Sequence, residues 1–265
     1  MKTRFLFPIL ASLIIFLSCE KDDSARENFK IDDDFSFYFY EHYPNSNYVQ
    51  PLEGDIFLKL MTKHVYMNSG YIVDMDITEN KGVMNIILKG IEEPEIFLTT
   101  PGAAKGIIPL HKGIKTLKFI NGEDEDVFNV SITDEKAVFT PQKSNFISCK
   151  DQTYFRRPEN TFAFVCGTAT DNQDLREEFL KQLLATVPLT EYHFEAEGVI
   201  PWQTESSGHH INFPTLFFTY KDKGDFEKAG KLLESFSLKN ISPLIGVSMS
   251  LEDWKGKFYY SWLND

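Results

Sequence analysis

His193, Glu195, Glu197, His209 and His210 form the one constellation in this sequence whose side-chain types and spacing suit metal or proton chemistry. Imidazole nitrogens and carboxylate oxygens fit a zinc-type ion, which takes three or four protein ligands. Tyr192, Phe194 and Ala196 alternate with His193, Glu195 and Glu197. That period predicts a strand with the three polar side chains on one face, successive ones about 7 Å apart. His209-His210 stand just before a second predicted strand over 211–220. In a hairpin of these two strands, Glu197 lies near the turn beside the histidines, whereas His193 sits about 13 Å further along. Glu197 with His209, His210 or both is therefore the metal set the spacing allows, and a metal-dependent hydrolase is the enzyme reading that goes with it. Adjacent histidines on an extended chain point in opposite directions, so placing both on one ion requires a bend at Gly208. The competing reading is a row of solvated polar side chains on a sheet face and its loop. Trp202, in the same connection, is a candidate to stack on a sugar ring or to anchor a protein partner.

No other catalytic motif accompanies this group. The sequence has no G-x-S-x-G elbow, no P-loop, no G-x-G-x-x-G and no H-E-x-x-H. Their absence leaves open catalytic groups assembled across a fold, which leave no local trace.

The elements that must position these residues follow from hydrophobic periodicity. From Thr161 the chain reads β-α-β-β-α-β. Phe162–Cys166 is a strand, and Asp174–Ala185 is a helix striped by Leu175, Phe179, Leu180, Leu183 and Leu184, stopped by Pro188. A second helix carries Phe226, Ala229, Leu232, Leu233 and Phe236, with Asp225 at its start. Residues 245–251 and 258–263 read as further strands. This order predicts a ferredoxin-like α+β domain over 161–265. Residues 34–141 read instead as seven or eight short strands separated by Asn68-Ser69-Gly70, Asn80-Lys81-Gly82, Pro101-Gly102 and Asn121-Gly122. That pattern predicts an antiparallel β-sandwich of immunoglobulin-like kind. Residues 142–160, with Arg156-Arg157 and Pro158, read as the connection, the arginines pairing with surface carboxylates. Glu123-Asp124-Glu125-Asp126 reads as a solvated acidic turn.

Composition limits the partners. Without residues 1–18 the chain keeps 247 residues with 25 basic and 39 acidic side chains, a net charge of −14. So acidic a chain, with no basic block, argues against nucleic acid and against charge-driven binding to an anionic membrane. Beyond Cys19 the only cysteines are Cys149 and Cys166. In an exported protein they could close a disulfide loop or remain two buried thiols. Neither has the companion residues of a zinc or iron–sulfur site, so zinc at the 197/209/210 group is the one cofactor the sequence leaves open.

Lys2 and Arg4 precede an apolar run from Phe5 to Leu17, too short to span a bilayer, and Ser18 stands directly before Cys19. Phe16-Leu17-Ser18-Cys19 resembles the lipobox of bacterial lipoproteins, although that family prefers an aliphatic residue where Phe16 stands. The resemblance implies a signal peptide over 1–18 and acylation of Cys19, the lipid supplying the attachment to the membrane. Glu20-Lys21-Asp22-Asp23 is similar to the surface-export signal of Bacteroidetes lipoproteins, which implies an outer-membrane anchor facing the cell exterior. Residues 19–33 are then an acidic, solvated tether. The expectation from sequence is a lipid-anchored surface protein that binds a glycan, a peptide or an envelope protein without catalysis. The metal-dependent hydrolase and a self-associating structural module are its alternatives.

Overall fold

A computed structural model describes residues 30–42, 55–95, 99–168, 173–194, 197–201, 211–241 and 246–262. Among them the chain is mostly β. Strands β1 (Phe35–His42), β2 (Asp55–Tyr66), β3 (Ile72–Asn80), β4 (Val83–Glu92), β5 (Gly102–Leu110), β6 (Thr116–Asn121), β7 (Asp124–Ile132), β8 (Lys136–Lys143), β9 (Ile147–Cys149) and β10 (Thr153–Phe155) belong to the first sheet. The second part runs β11 (Thr161–Thr168), α1 (Gln173–Thr186), β12 (Leu189–Tyr192), β13 (Ile211–Asn212), β14 (Leu216–Tyr220), α2 (Lys223–Asn240), β15 (Val247–Asp253) and β16 (Phe258–Tyr260).

The expected immunoglobulin-like sandwich is overturned. The first ten strands form a single mixed sheet in the order β10-β8-β7-β6-β4-β3-β5-β2-β1-β9. Its parallel neighbours are β4–β6, β1–β9 and a single β3–β5 pair, Ile72 with Lys105. The sheet curls into a half-barrel whose inner face is its own core. Phe37 of β1 meets Phe119 of β6, Phe128 of β7 and Phe139 of β8 at ring-centroid distances of 5.8, 5.1 and 5.3 Å. The two edge strands, β9 and β10, are consecutive in sequence, so three residues (150–152) link the ends of the curl. Asp126 sets that closure. Its carboxylate is fully buried and accepts the backbone N–H groups of Asn145, Phe146 and Ile147 at 2.7, 2.8 and 2.7 Å. It thereby carries the chain from β8 across to β9, so Asp126, expected in a solvated acidic turn, is instead a structural anchor, while Glu123 beside it is exposed. A curled sheet and a sandwich share one period-two alternation, which is why the pattern suited both.

Strand β5 begins at Gly102, within the Pro101-Gly102 pair expected as a separating turn. Gly102, Gly106 and Pro109 hide it from a propensity reading, yet it pairs with β2 from Ile56–Leu110 to Tyr66–Gly102. Gly106 is needed because a Cβ there would lie 2.0 Å from Met75 Cε.

The expected ferredoxin-like domain is corrected as well. The second sheet has five strands in line, β12-β14-β11-β15-β16, with β13 pairing β11 in addition. That is two strands more than the β-α-β-β-α-β order supplies, because Pro214 divides 211–220 into β13 and β14 and the further strand expected at 258–263 is present as β16, on the edge beyond β15. Both helices contribute to the second core through Phe179, Leu183, Phe226, Leu233 and Phe236. Helix α2 begins with a capping box. Asp222 accepts the Gly224 N–H at 2.7 Å, and Asp225 accepts the Asp222 N–H at 3.2 Å.

Candidate binding crevice

The residues that join the two sheets also line a crevice. Phe35, Phe37 and Phe39 of β1 point into the first core, while Tyr38 and Tyr40 take the outer face. Glu41 follows on the inner side with a side chain only 5% exposed. One of its carboxylate oxygens pairs with Arg156 Nε, and the other accepts the Arg157 N–H at 3.1 Å. Arg156 also donates through Nη1 to the Thr133 carbonyl at 3.0 Å. Arg157 turns the other way and meets Glu252 of β15 through Nη2 at 2.7 Å. The chain Glu41–Arg156/Arg157–Glu252 therefore ties β1 of the first sheet to β15 of the second.

Residues 197–201 close the crevice from the far side. The Phe155 N–H donates to the Val199 carbonyl and the Val199 N–H to the Thr153 carbonyl, each at 2.9 Å, so this segment lies along β10. Gly198 permits the approach, since a Cβ there would stand 2.9 Å from the Thr153 oxygen and 3.0 Å from the Phe155 ring. The cavity so formed is about 150 Å³, with Tyr40, Glu41, Phe155, Arg157, Val199 and Pro201 in its wall. Burial pushes the hydroxyl of Tyr154, also in the wall, well above the usual tyrosine range, so it stays protonated and able to donate.

From Tyr40 the surface continues outward as an aromatic strip. Tyr40 stacks against Phe57 of β2 at 5.6 Å and neighbours Tyr38 at 6.2 Å. Lys59 Nζ stands 5.7 Å from the Tyr38 ring centroid. Tyr38 is exposed and Tyr40 and Phe57 are half-buried, so this face offers rings for apolar stacking with the Lys59 ammonium beside them. Both oxygens of Glu41 are engaged, one by Arg156 Nε and the other by the Arg157 N–H.

A second cavity, of about 100 Å³, lies at the start of α2 between Tyr220, Phe226, Trp254 and Lys257. Its one buried carboxylate, Asp253, is taken up by its own turn, accepting the N–H groups of Lys255 and Lys257 at 2.9 and 2.7 Å. Burial holds that carboxyl above its ordinary value despite these bonds.

The residues singled out from sequence are only partly described. Cys19, Glu195, Trp202, His209 and His210 lie outside the described residues. His193 and Glu197 are exposed, and they do not share a strand, since β12 ends at Tyr192. Phe194 accounts for this. Its ring packs on Phe155 and Phe217, each at 5.1 Å, and draws the chain off the sheet toward β10. His193 has Glu191 at 3.8 Å. Among the described residues no three His, Cys, Asp or Glu side chains gather as metal ligands. Cys149 and Cys166 are not bonded to each other. Each is a free thiol, Cys149 packed against the first core and Cys166 buried in the second. Burial raises both to a pKa of about 11.

The sequence reading missed Tyr40, Glu41 and Arg157 as a group. The signal for them was the alternation Phe35-Ser36-Phe37-Tyr38-Phe39-Tyr40, which separates phenylalanines facing inward from tyrosines facing outward. No family model, no curated protein and no solved structure matches the chain.

Proposed function

We propose that this protein is a lipid-anchored lipoprotein of the outer surface, acting as a non-catalytic binding module whose ligand is a glycan. The crevice carries this reading, because Tyr40, Phe57 and Tyr38 lead out of it as an aromatic strip. The apolar face of a pyranose ring stacks on such side chains, while its hydroxyls bond to polar groups of the kind that Lys59 and the tyrosine hydroxyls offer on the same face. The place of the crevice supports the same reading. The tether enters the fold at Ile31, whose N–H and carbonyl bond the Asn121 side chain at 2.8 and 2.9 Å. From Phe35, beside that point, to Glu41 at the crevice, β1 rises about 20 Å. A chain anchored at Cys19 would then hold the crevice on the side turned away from the membrane.

The test is calorimetric titration of residues 24–265 with a panel of oligosaccharides, comparing the wild type with Tyr40→Ala and Phe57→Ala. Loss of a central aromatic contact should weaken a bound oligosaccharide at least about tenfold, or 1.4 kcal/mol. Binding that is unchanged in both variants, or a wild type that retains none of the panel, refutes the glycan assignment. Labelled palmitate appearing in the wild-type chain but not in Cys19→Ala checks the anchor separately.

A further inference from the structure

We propose that the pole where the tether docks carries a membrane-contacting tip, made by Val65, Met67 and Ile72, whose partner is the lipid surface. This rests on the anchored reading above and extends it from a single point of attachment to an oriented one. The three side chains are 59, 78 and 51% exposed, among the most exposed large apolar residues of the first sheet. They belong to one corner, the end of β2, the following turn and the start of β3.

The fold imposes this exposure on a braced turn. The Ser69 N–H donates to the Thr100 carbonyl at 2.7 Å, and the Gly70 N–H donates to Asn68 Oδ1 at 2.9 Å. Pro94 and Ser69 close in on Gly70 and Gly102 so tightly that a Cβ at either would stand 2.9 or 2.6 Å from them. This tightly closed turn presents Met67 outward, 78% exposed. Directly behind it Tyr66 and Tyr71 stack at 4.5 Å, both half-buried. Amphipathic rings behind an apolar tip suit the headgroup layer of a bilayer.

The position of the tether selects lipid as the occupant. The Lys63 N–H donates to the Asp34 carbonyl at 2.7 Å and the His64 N–H to the Asp33 carboxylate at 3.3 Å. The chain arriving from the anchor thus lies against the residues that immediately precede Val65. A solvated linker from Cys19 to Lys30 spans roughly 18 Å as a coil and at most about 40 Å when stretched. That reach keeps the tip within contact of the bilayer, and a weak apolar contact becomes effective once it is intramolecular. Asp33, Asp34, Glu92 and Glu93 near the corner outnumber Lys63 and Lys105, the latter paired with Ile72, so apolar contact rather than attraction to anionic headgroups drives the docking and it should persist in high salt.

The experiment uses the full chain, reconstituted into phosphatidylcholine vesicles with or without brominated acyl chains, carrying Met67→Trp or Leu238→Trp. Leu238 is 73% exposed on α2 of the second part and serves as the reference position. Fluorescence of the native Trp202, Trp254 and Trp262 is subtracted with the wild type. The tip predicts that brominated lipid quenches the added tryptophan at 67 several-fold more than at 238, with and without salt. Equal quenching at the two positions, in a chain that floats with the vesicles, overturns the tip and leaves the anchor standing. A chain that does not float overturns the anchored reading itself.

Discussion

The two sheets hide their inner faces in different ways. The first curls until its own strands oppose one another, so Phe37 of β1 meets Phe128 of β7 and Phe139 of β8 with no helix between them. The second stays open and is covered by α1 and α2, whose Phe179 and Phe236 rings meet at 5.3 Å. A helix-covered sheet depends on apolar area alone, and every helix contributes its stripe independently. A curled sheet depends also on the few polar contacts that turn its edges inward. The first part should accordingly be sensitive to single polar substitutions, and the second to loss of volume.

The largest expected effect tests the polar half of that contrast. Asp126→Ala leaves three buried N–H groups without their acceptor and should destabilise the first part by roughly 4 kcal/mol. Far-UV circular dichroism in urea should show it, while the emission of Trp254 and Trp262, which belong to the second part, keeps its midpoint. Phe179→Ala should do the reverse, lowering the tryptophan-reported transition by roughly 3 to 4 kcal/mol through a core cavity. If both variants moved both transitions equally, the two parts would be one cooperative unit and the contrast would fall.

Glu41→Ala probes the joint between them. Removing one partner of a buried ion pair costs about 3 kcal/mol, read as a lower midpoint of the circular-dichroism transition in urea. Gly230→Ala is expected to be milder. A Cβ there would stand 2.4 Å from the Tyr259 ring, and overpacking of this kind costs about 2 kcal/mol, read as a lower melting temperature with β1 to β10 unaffected. A last prediction is one of pH. Cys149 and Cys166 hold their protons to about 11 in the folded protein against 9.0 ordinarily. Their contribution to stability is therefore intact below pH 9 and is lost as pH rises from 9 towards 11, where only the unfolded chain releases the protons. A thiol reagent at pH 8.5 should find almost no reactive cysteine in native 24–265 and two in urea.

Much of the secondary structure was legible. The stripe from Leu175 to Leu184 is α1, and Asp225 stands at the start of α2 as expected, with Asp222 before it as the cap. The turn signals Asn80-Lys81-Gly82 and Asn121-Gly122 do separate β3 from β4 and β6 from β7. Strand β5 was not legible, because its two inner glycines and Pro109 answer to neighbours far away in sequence, Met75 above all. The Arg156-Arg157 pair was read as meeting surface carboxylates. One of its partners, Glu41, is instead buried and lies 115 residues earlier in the chain. For the crevice, the sequence displayed the aromatic strand but not its use. For the histidine group it displayed the residues but not Phe194's contacts with Phe155 and Phe217, which take His193 and Glu197 off a common strand.

By itself the sequence determined the local features: which residues alternate, where helices start and stop, and a charge balance that disfavours anionic partners. These rest on interactions within a few residues, so a window of sequence holds them. Only the tertiary structure decided that ten strands form one curled sheet, that Asp126 is an anchor rather than a solvated acid, and that Tyr40, Glu41 and Arg157 meet. Alternation specifies that a strand has a buried face but not what buries it, and contacts made across more than a hundred residues leave no periodic trace.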